Sequence, residues 1–595
     1  MRIKLLLFGF TAFWLVLLVR IYYISIKSNT YYEEIAKQNA IRVDDLAPFR
    51  GSILDINGKP LSVNRLGFSI GIKPQLSSSR KREILEKEIN FLVKNIKGLE
   101  FKKLKKLYIK RDSPYSHDFV KVVDFISHDD VISEFSKLSL RDNLKINIAS
   151  KRYYPYKELA SHVIGYVAKA NLKDEQENPV AKLTGFIGRT GIEKYYNSVL
   201  QGQKGVKRTK VTAFNEELEE IDQKLPVSSD IMLSLDLELQ QYVAKIFGKR
   251  SGAVIVMNAK NGKILAAGSF PEYNLNQFVS GISHKEWKEL TSDFNHPFTN
   301  KLINGLYPPG SVVKMGVALS FLESGLITPY TNFYCSGSME LGGRNFRCWK
   351  ERGHGKTSLK KAIRESCDDY FYKGSLKVGI DKIAPVLRNL GFATKTGVDL
   401  PFEFVGSVPG RSWKMQKYQK PWYQGETLIT SIGQGYFLTT PLQVARYTAL
   451  LATGSSITPH FIQSVGGLDV DYGNKDILTF TQKKNLPLIR KAMREVISHP
   501  KGTGRWYIKS KVDIAGKTGT AQVVGIPQSE KKRMKESELE YFHRSHAWFT
   551  TYGPYKDPQY VVTVIVEHGG HGGAAAGKVI SKIYDKLLEM GYIKK

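Results

Sequence analysis

Apolar residues are most concentrated at the N-terminus of this chain. The run LLLFGFTAFWLVLLV, residues 5–19, is followed by an arginine and by IYYISI. With its flank it is about 20 residues long, which is enough to cross a bilayer as a helix. Arg2 and Lys4 precede it and favour the cytoplasmic side, and no small-residue cleavage site follows. The pattern predicts a cytoplasmic tail over 1–4, an uncleaved transmembrane helix over 5–25, and a remaining chain outside the cytoplasm.

The pattern changes several times between residues 26 and 224. Residues 28–47 are polar and favour a helix, and PFRGSILDINGKPLSVN after them has β-rich runs on both sides of an Asn-Gly pair, which indicates a hairpin. Lys-rich segments with apolar residues at helical spacing follow over about 75–150 and predict amphipathic helices. Residues 152–224 favour extended segments joined by glycine turns. We therefore predict strands with a Lys-rich helical insertion.

From residue 225 onward, predicted strands and helices alternate. SLDLELQQYVAKIF favours a helix, and GAVIVMNAKNGKILAAGS favours two strands around a second Asn-Gly turn. The alternation continues to the C-terminus over roughly 370 residues, which is large for one core. The pattern predicts an α/β (α+β) domain over residues 225–595.

The net charge of the chain excludes few classes of binding partner. The chain has 595 residues and a formal net charge of +32. Such an excess fits nucleic acid, an anionic membrane surface or an acidic polymer, and equally a lysine-rich solvated surface. No homeodomain, RRM or zinc-finger pattern accompanies the charge, which argues against nucleic acid as a partner.

One lysine lies in an otherwise apolar stretch, LYPPGSVVKMGVALSFLESG. Pro-Pro-Gly ends the preceding chain, and from Ser311 onward the residues favour a buried helix in which Lys314 is the lone charge of the first two turns. A buried amine is costly unless it has a function. The two side chains share one face at i and i+3, so the stretch predicts a nucleophile beside a general base. Ser-x-x-Lys also occurs elsewhere in polar surroundings, so the spacing alone is weak evidence.

A second candidate element is a predicted strand edge in KVDIAGKTGTAQVV. It contains Lys517, Thr518, Gly519 and Thr520, with β-rich runs on both sides. An edge strand beside a serine would present an amine and backbone N–H groups to a substrate carboxylate and oxyanion. A second Lys-Thr-Gly begins at Lys395 in a loop without a following strand, and we predict a turn there.

A third candidate lies on a predicted helix that follows the Thr357-Ser358 cap. Apolar periodicity places Ser366 on the inward face, and Asp368 comes two residues later. A buried hydroxyl beside a carboxylate suits proton relay. Taken alone, such a serine is more often an ordinary part of the core.

The three cysteines of the chain occur close together with one histidine among them. Cys335, Cys348, His354 and Cys367 have the spacing C-x12-C-x5-H-x12-C. Three thiolates and one imidazole form a closed tetrahedral set, which is typical of structural zinc sites. A disulfide with one free thiol, and buried unreactive cysteines, are the alternatives. The pattern favours one structural Zn²⁺ ion.

The three candidate elements occur in a family order. Ser311-x-x-Lys314, Ser366-x-Asp368 and Lys517-Thr-Gly resemble the active-site motifs of penicillin-binding proteins and their β-lactamase relatives. PFRGSILDINGKPLSVN, GRTGIEKYYNSVLQGQKG and ITSIGQGYFLTTPLQVARYTALLATG resemble segments of the class B, monofunctional members. The likeness extends from the N-terminal anchor to the C-terminus and is vaguest between residues 80 and 151.

This resemblance implies a penicillin-binding/β-lactamase-like serine transpeptidase domain over 225–595, preceded by a mostly β, elongated pedestal domain over 26–224. The aspartate at position 368 resembles the elongation branch, whereas the septal branch typically keeps asparagine there. Some members that the chain resembles carry a metal site beside the second motif, with acidic residues among its ligands. Cysteines at such positions strengthen the zinc prediction.

The chemistry that the resemblance implies is that of a serine-type D-Ala-D-Ala transpeptidase, a class that includes the carboxypeptidases. Ser311 would attack the penultimate D-Ala of a peptidoglycan stem peptide, and Lys314 would take its proton. Ser366 and Lys517 would pass the proton to the leaving amine. A β-lactam would mimic D-Ala-D-Ala and trap the serine. The residues implied in substrate binding or the oxyanion hole are Asp368, Lys517, Thr518, Gly519 and Thr520, with the backbone N–H of Ser311.

The same resemblance implies a place and partners for the protein. It would be a single-pass protein of the inner membrane with a periplasmic catalytic domain, working with a SEDS-family glycosyltransferase and a rod-shape scaffold protein. A septal transpeptidase, a β-lactam sensor and a catalytically silent scaffold are the alternatives. A sensor would normally need a longer cytoplasmic segment, and intact Ser311, Lys314 and Lys517 argue against a silent scaffold.

Overall fold

The N-terminal apolar run is helical in the computed structural model. An α-helix spans Arg2–Tyr22 and continues as a π-helical turn over Tyr23–Lys27. The most apolar window of Ile3–Lys27 has a mean hydropathy of 2.1 and is 0% buried, so this helix is long and apolar enough to cross a membrane. The prediction of one apolar N-terminal helix is confirmed.

The chain divides into two compact units. The structure describes residues 2–27, 31, 41–115, 118–212, 217–524 and 536–594. One unit comprises Met1–Arg50, Ala170–Phe186 and Gln201–Ser228, and the other comprises Gly51–Lys169, Ile187–Leu200 and Ser229–Lys595. Both units contain parts of the region predicted as the pedestal, and the boundary near residue 225 stays a prediction.

The first unit contains a three-stranded antiparallel sheet. Its central strand, Gly205–Val211, pairs with Ile41–Leu46 on one side and with Glu217–Lys224 on the other. The helix predicted over 28–47 is therefore wrong for residues 41–46, because that segment alternates in exposure and finds a pairing partner more than 150 residues away. Residues 28–30 and 32–40 of that prediction lie outside the described residues.

The predicted hairpin is present in the second unit. Strand Ile53–Leu54 pairs antiparallel with Pro60–Ile72, and Gly58 takes a φ of 78° in the turn between them. The long strand also pairs with Val120–Ser127 and Leu144–Tyr153. The helical insertion predicted over about 75–150 is therefore wrong for residues 120–127 and 144–150, where β-branched alternation and the distant partner override the helical pattern.

Two helices of that insertion are confirmed, Arg82–Asn95 and Phe101–Arg111. Their inward faces pack against the neighbouring strands in a shared core that includes Leu85, Leu104 and Ile70. The stretch predicted as extended over 152–224 contains more helix than predicted, because asparagine side chains cap two of its helix starts. Its helices span Ser161–Ile164, Leu172–Glu177, Pro179–Thr184, Gly191–Tyr195 and Asn197–Gln201.

The second unit also contains a five-stranded antiparallel sheet. The two strands predicted around an Asn-Gly turn are present, and Gly262 in that turn has a φ of 84°. In spatial order the strands are Ile264–Phe270, Gly252–Asn258, Tyr560–Val566, His546–Gly553 and Ala515–Ala521.

The two faces of this sheet carry different helices. Phe549 belongs to a buried core with residues of the helices Leu237–Phe247 and Gly572–Glu589. Its neighbour Thr550 points to the opposite face, because side chains alternate along a strand. There its hydroxyl lies 2.7 Å from the hydroxyl of Thr448 on another helix. The sheet is thus covered on both sides.

The remaining elements complete the second unit. Its other helices span His128–Val131, Phe135–Ser139, Asn276–Ser280, His284–Ser292, Lys314–Glu323, Leu359–Arg364, Asp368–Val378, Ile380–Asn389, Arg411–Tyr418, Gln424–Ser431, Pro441–Thr453 and Phe480–Ser498. Its other strands span Ile231–Leu233, Asn332–Cys335, Ser338–Leu341, Arg344–Arg347, Gly355–Ser358, Ser456–Ile457, Ile462–Val465, Leu468–Asp469 and Asn474–Lys475. The short strands Val167–Lys169 and Phe186–Gly188 pair with each other.

Candidate active site

The predicted nucleophile lies at the start of a buried helix. A 3₁₀ turn spans Gly310–Val313, and the α-helix itself begins at Lys314, three residues later than the sequence predicts. Every residue from Lys314 to Leu322 is buried, as the apolar pattern predicts. Gly310 has a φ of 56°, and a Cβ there would lie 2.6 Å from the carbonyl oxygen of Thr520, so only glycine permits this approach.

The hydroxyl of Ser366 is the centre of the polar network. It lies 2.9 Å from the Ser311 hydroxyl, 2.9 Å from the Lys517 amine and 3.4 Å from the Lys314 amine. Ser366 has a φ of 55°, which is uncommon for a residue with a side chain and is typical of strained functional positions. The contacts therefore connect the Ser311 hydroxyl to both lysines through one serine.

Asp368 pairs with the buried lysine. Its carboxylate oxygen Oδ1 lies 2.7 Å from the Lys314 amine, whose side chain is 0% exposed. The other oxygen, Oδ2, accepts the backbone N–H of Trp349 at 3.0 Å. The structure therefore places the second-motif aspartate against the amine of the first motif, a contact that the sequence did not indicate.

Lys517 is also enclosed. It is 0% exposed, and its amine also donates to the Thr518 carbonyl at 2.9 Å. Burial, and then the positive charge of Lys314, lowers the pKa of Lys517 well below the ordinary lysine value of 10.5. Such a shift is frequent among groups that act in catalysis.

The predicted strand edge is confirmed. Ala515–Ala521 is the last strand of the five-stranded sheet, and no strand of the described chain pairs with its outer side. A Cβ at Gly519 would lie 2.9 Å from Val312 and 3.1 Å from the Pro309 carbonyl oxygen, so glycine lets this strand approach the nucleophile turn. The other Lys-Thr-Gly lies in a loop, as predicted, where the Thr396 hydroxyl donates to Glu403 at 2.6 Å.

One polar contact of this strand was missed from the sequence. The hydroxyl of Thr518 lies 2.8 Å from the hydroxyl of Thr503. Thr503 occurs in HPKGTGRWY, a stretch in which no spacing or periodicity singles it out. The backbone of Thr520 closely approaches Gly310, the residue before Ser311. The role of the Ser311 and Thr520 N–H groups as an oxyanion hole stays a prediction.

The three cysteines and the histidine meet in one buried cluster. Cys335 ends a strand that pairs with Gly355–Ser358, and Cys367 directly precedes the helix Asp368–Val378. The possible ligand atoms of Cys335, Cys348, His354 and Cys367 all lie within 4.8 Å of one another. All three cysteines are free, so the alternative with a disulfide is wrong.

The cluster has the dimensions of a tetrahedral metal site. His354 Nδ1 lies 3.6 Å from Sγ of both Cys335 and Cys348. Zinc bonded to sulfur and nitrogen at its usual lengths and at tetrahedral angles requires about 3.6 Å between those ligand atoms. Hydrogen bonding from Cys367, and also from His354, lowers the pKa values of Cys335 and Cys348, whereas hydrogen bonding to Cys335 and Cys348 raises the pKa of Cys367. Two of the three sulfurs therefore favour the thiolate form before any metal binds. The four residues therefore could hold a metal ion.

The cluster adjoins the catalytic network at two points. Cys367 lies between Ser366 and Asp368 in the chain. Cys348 precedes Trp349, whose backbone N–H reaches Asp368. Two of the four possible ligands are thus covalently linked to residues that contact the serine and lysine network.

Comparison with known proteins agrees with this geometry. The family described as the penicillin binding protein transpeptidase domain matches residues 252–588, and the penicillin-binding protein dimerisation domain matches residues 45–231. The peptidoglycan D,D-transpeptidase MrdA of Haemophilus influenzae is 33% identical over 591 residues, which cover 96% of this chain and 89% of that protein.

Solved structures give the same result. A chain in the complex between penicillin-binding protein PBP2 and MreC from Helicobacter pylori has 44% sequence identity and a TM-score of 0.86, covering 93% of this chain and 99% of that chain. A chain from a peptidoglycan synthase complex that coordinates polymerization and crosslinking has 27% identity and a TM-score of 0.71, covering 100% and 99%. The chain therefore belongs to the penicillin-binding protein transpeptidases, within their penicillin-binding protein 2 branch.

Proposed function

We propose that this protein is a peptidoglycan D,D-transpeptidase that cross-links stem peptides during wall elongation. The observation that carries the proposal is the contact of Ser366 with Ser311, Lys314 and Lys517 in the fold of this family. The curated relative from Haemophilus influenzae is an MrdA transpeptidase, which supports elongation over septal division. The Ser366 hydroxyl connects the Ser311 nucleophile to two lysine amines, and this arrangement favours an enzyme over a catalytically silent scaffold.

The proposed reaction is acyl transfer in two steps. Ser311 Oγ attacks the penultimate D-Ala carbonyl. The proton of the Ser311 hydroxyl passes through Ser366 to Lys314, which acts as the base. The backbone N–H groups of Ser311 and Thr520 stabilise the oxyanion. The peptide bond breaks, and the proton taken up by Lys314 returns through Ser366 and Lys517 to the leaving nitrogen. The terminal D-Ala departs as an amine, and the acyl group stays on Ser311. An amine of a neighbouring stem then forms the cross-link and releases the serine.

The stem carboxylate is held by the edge strand in this proposal. Lys517 supplies charge, and the Thr518 and Thr520 hydroxyls supply hydrogen bonds. Asp368 acts through Lys314, which it orients from 2.7 Å, rather than by contacting the substrate as an amide would. A β-lactam carries a carboxylate that corresponds to the stem carboxylate. It acylates Ser311 by ring opening, and the released amine stays attached to the acyl group.

The low pKa of Lys517 predicts an alkaline limit to acylation. Above this pKa the amine is neutral and no longer attracts a carboxylate, so the second-order acylation rate with benzylpenicillin falls as pH rises through a pKa below 10.5. Stopped-flow rates from pH 6 to 10.5 check this. The methyl ester of the same penicillin lacks the carboxylate and is expected to lack this decline. An equal decline for acid and ester would contradict the assignment.

We also propose that Cys335, Cys348, His354 and Cys367 hold one structural Zn²⁺ ion. Three sulfur donors and one imidazole are the donor set that zinc favours, and all four residues are buried. An ion bound there would neutralise the thiolates and would hold the segment before Trp349 and the segment around Cys367 together, and it would take no part in bond breaking. Its proposed effect is to fix Ser366 and Asp368 relative to Lys314.

The proposed setting is the inner membrane. The N-terminal helix anchors the chain with its short tail in the cytoplasm, and the catalytic unit lies in the periplasm. The complex of the Helicobacter pylori protein with MreC supports a rod-shape scaffold protein as one partner. The peptidoglycan synthase complex that coordinates polymerization and crosslinking supports a glycosyltransferase as the other, and the family resemblance implies that it is of the SEDS family. Peptidoglycan stem peptides and β-lactams are the ligands.

Product analysis tests the proposed function. Full-length protein in detergent is incubated with its glycosyltransferase partner and lipid-linked pentapeptide precursor, and the digested product is analysed by mass. We expect stem dimers and one released D-Ala per cross-link. Release of D-Ala without dimers would indicate a carboxypeptidase, and a glycan with untouched pentapeptides would contradict the proposal.

A further inference from the structure

Three aromatic rings form a surface that the proposed reaction does not use. Trp413 and Tyr418 lie on the helix Arg411–Tyr418, and Tyr436 lies on a later loop. The ring centroids are 5.7 Å apart for Trp413 and Tyr418, 5.6 Å for Trp413 and Tyr436, and 5.1 Å for Tyr418 and Tyr436. We call these three residues the aromatic platform.

The platform is partly open to solvent. Tyr418 is 41% exposed and Tyr436 is 39% exposed, while Trp413 is half-buried. The rings therefore pack on one another rather than into a core. Contiguous exposed aromatic surface of this kind marks a binding site more often than it marks ordinary protein surface.

Positive charge adjoins the platform. The segment RSWKMQKYQKPWY, residues 411–423, contains one arginine, three lysines and no carboxylate. Two of these cations have acidic partners in other segments, Arg411 with Asp381 and Lys414 with Glu426, so Lys417 is the cation that bears on the rings. The Lys417 amine lies 5.3 Å from the Trp413 ring centroid and 5.7 Å from that of Tyr418. The amine lies over these two rings, so a ligand that packs on the platform would meet this cation. Such a surface selects for a ligand that carries both flat apolar faces and negative charge.

The platform is connected to the catalytic residues by one short loop. The Gly433 carbonyl accepts the N–H of Gly310 at 2.8 Å, and the Gln434 side-chain amide donates to the Thr520 carbonyl at 2.9 Å. Tyr436 follows two residues later, a reach of about 7 Å for extended chain. A substrate that occupies the edge strand therefore comes close to the platform.

We infer that the aromatic platform binds the sugar–peptide strand that carries the reacting stem, with sugar rings on the aromatic faces and a stem carboxylate at Lys417. This inference rests on the proposed function and adds a second subsite to it. Sugar rings offer flat C–H faces that pack on aromatic rings, and stem peptides carry carboxylates, so peptidoglycan matches both features of the surface. A partner protein is the competing occupant.

Binding measurements on the full chain in detergent test the inference. The active site is first acylated with penicillin, so that only sites outside it remain. Two probes are used. Chitotetraose is neutral and has no peptide, and soluble uncross-linked glycan strands carry tetrapeptide stems with carboxylates. We expect Trp413→Ala and Tyr418→Ala to weaken both probes about 10-fold, and Lys417→Gln to weaken only the peptide-bearing strand. Phe480→Ala removes a ring that is 82% exposed elsewhere and is expected to change neither affinity.

The outcomes separate this inference from the proposed function. The inferred glycan binding would be overturned if wild type and Trp413→Ala bound the probes with equal affinity. It would also be overturned if wild type bound neither probe, even if a partner protein were captured at the platform. Trp413→Phe, which keeps a ring, is expected to bind within about 3-fold of wild type, so that misfolding of the alanine variant is recognised. Wild type that fails to form a penicillin adduct would instead overturn the proposed function.

Discussion

Replacing Lys314 with alanine is expected to lower the rate of penicillin acylation at least about 10³-fold. The amine is the proposed base for Ser311, and it contacts both Ser366 and Asp368 from a fully buried position. Its removal also leaves the Asp368 carboxylate without its ion-pair partner, which distorts the second motif. Stopped-flow acylation with a fluorescent penicillin measures the loss.

A matched control separates catalysis from stability in this experiment. Lys301 is also buried, and its amine lies 3.7 Å from Glu567, outside the catalytic network. Lys301→Met is expected to lower the unfolding temperature while the folded molecules acylate at the wild-type rate. If Lys314→Ala acylated within 10-fold of wild type, the proposed role of Lys314 would be wrong.

Replacing Cys348 with serine is expected to abolish stoichiometric zinc binding and to slow acylation about 10-fold or more. Cys348 precedes Trp349, whose N–H holds the Asp368 carboxylate that in turn contacts Lys314. Loss of the ion frees this segment, so the effect reaches the catalytic lysine although no ligand touches the substrate. Zinc content by elemental analysis and acylation rate are measured on the same sample.

Glu340→Ser is the control for this variant. Glu340 is exposed on the hairpin between two of the ligands, so the change introduces serine nearby without removing a donor. We expect one zinc per chain and normal acylation for the control. A Cys348→Ser protein that lacks zinc but acylates normally would contradict the proposed link between the metal site and acylation. Wild type that contains no zinc would contradict the proposed zinc site.

The catalytic motifs were predictable because each has a local physical signature. A lysine in an apolar helix, a glycine between β-rich runs and a cluster of thiols all stand out against their neighbours, and the structure brings each set together. The centrality of Ser366 was not predictable in the same way. Its positive φ and its position between Ser311 and two lysines depend on the packing of segments more than 50 residues apart.

The errors in the fold have a common cause. Residues 120–127 and 144–153 have lysines and apolar residues in an order that suits a helix locally, but both pair with Pro60–Ile72. Residues 41–46 likewise form a strand only because Gly205–Val211 lies beside them. The contact between Trp349 and Asp368 and that between Thr503 and Thr518 are also tertiary, and no sequence spacing indicates them.

The identity of the acylated residue decides whether Ser311 is the nucleophile. Full-length protein is treated with benzylpenicillin, digested, and analysed by mass spectrometry for the modified peptide. We expect one penicilloyl group per chain, on Ser311 in the peptide that contains Pro308 to Lys314, and none in Ser311→Ala. An adduct on another residue, or an adduct that persists in Ser311→Ala, would contradict it.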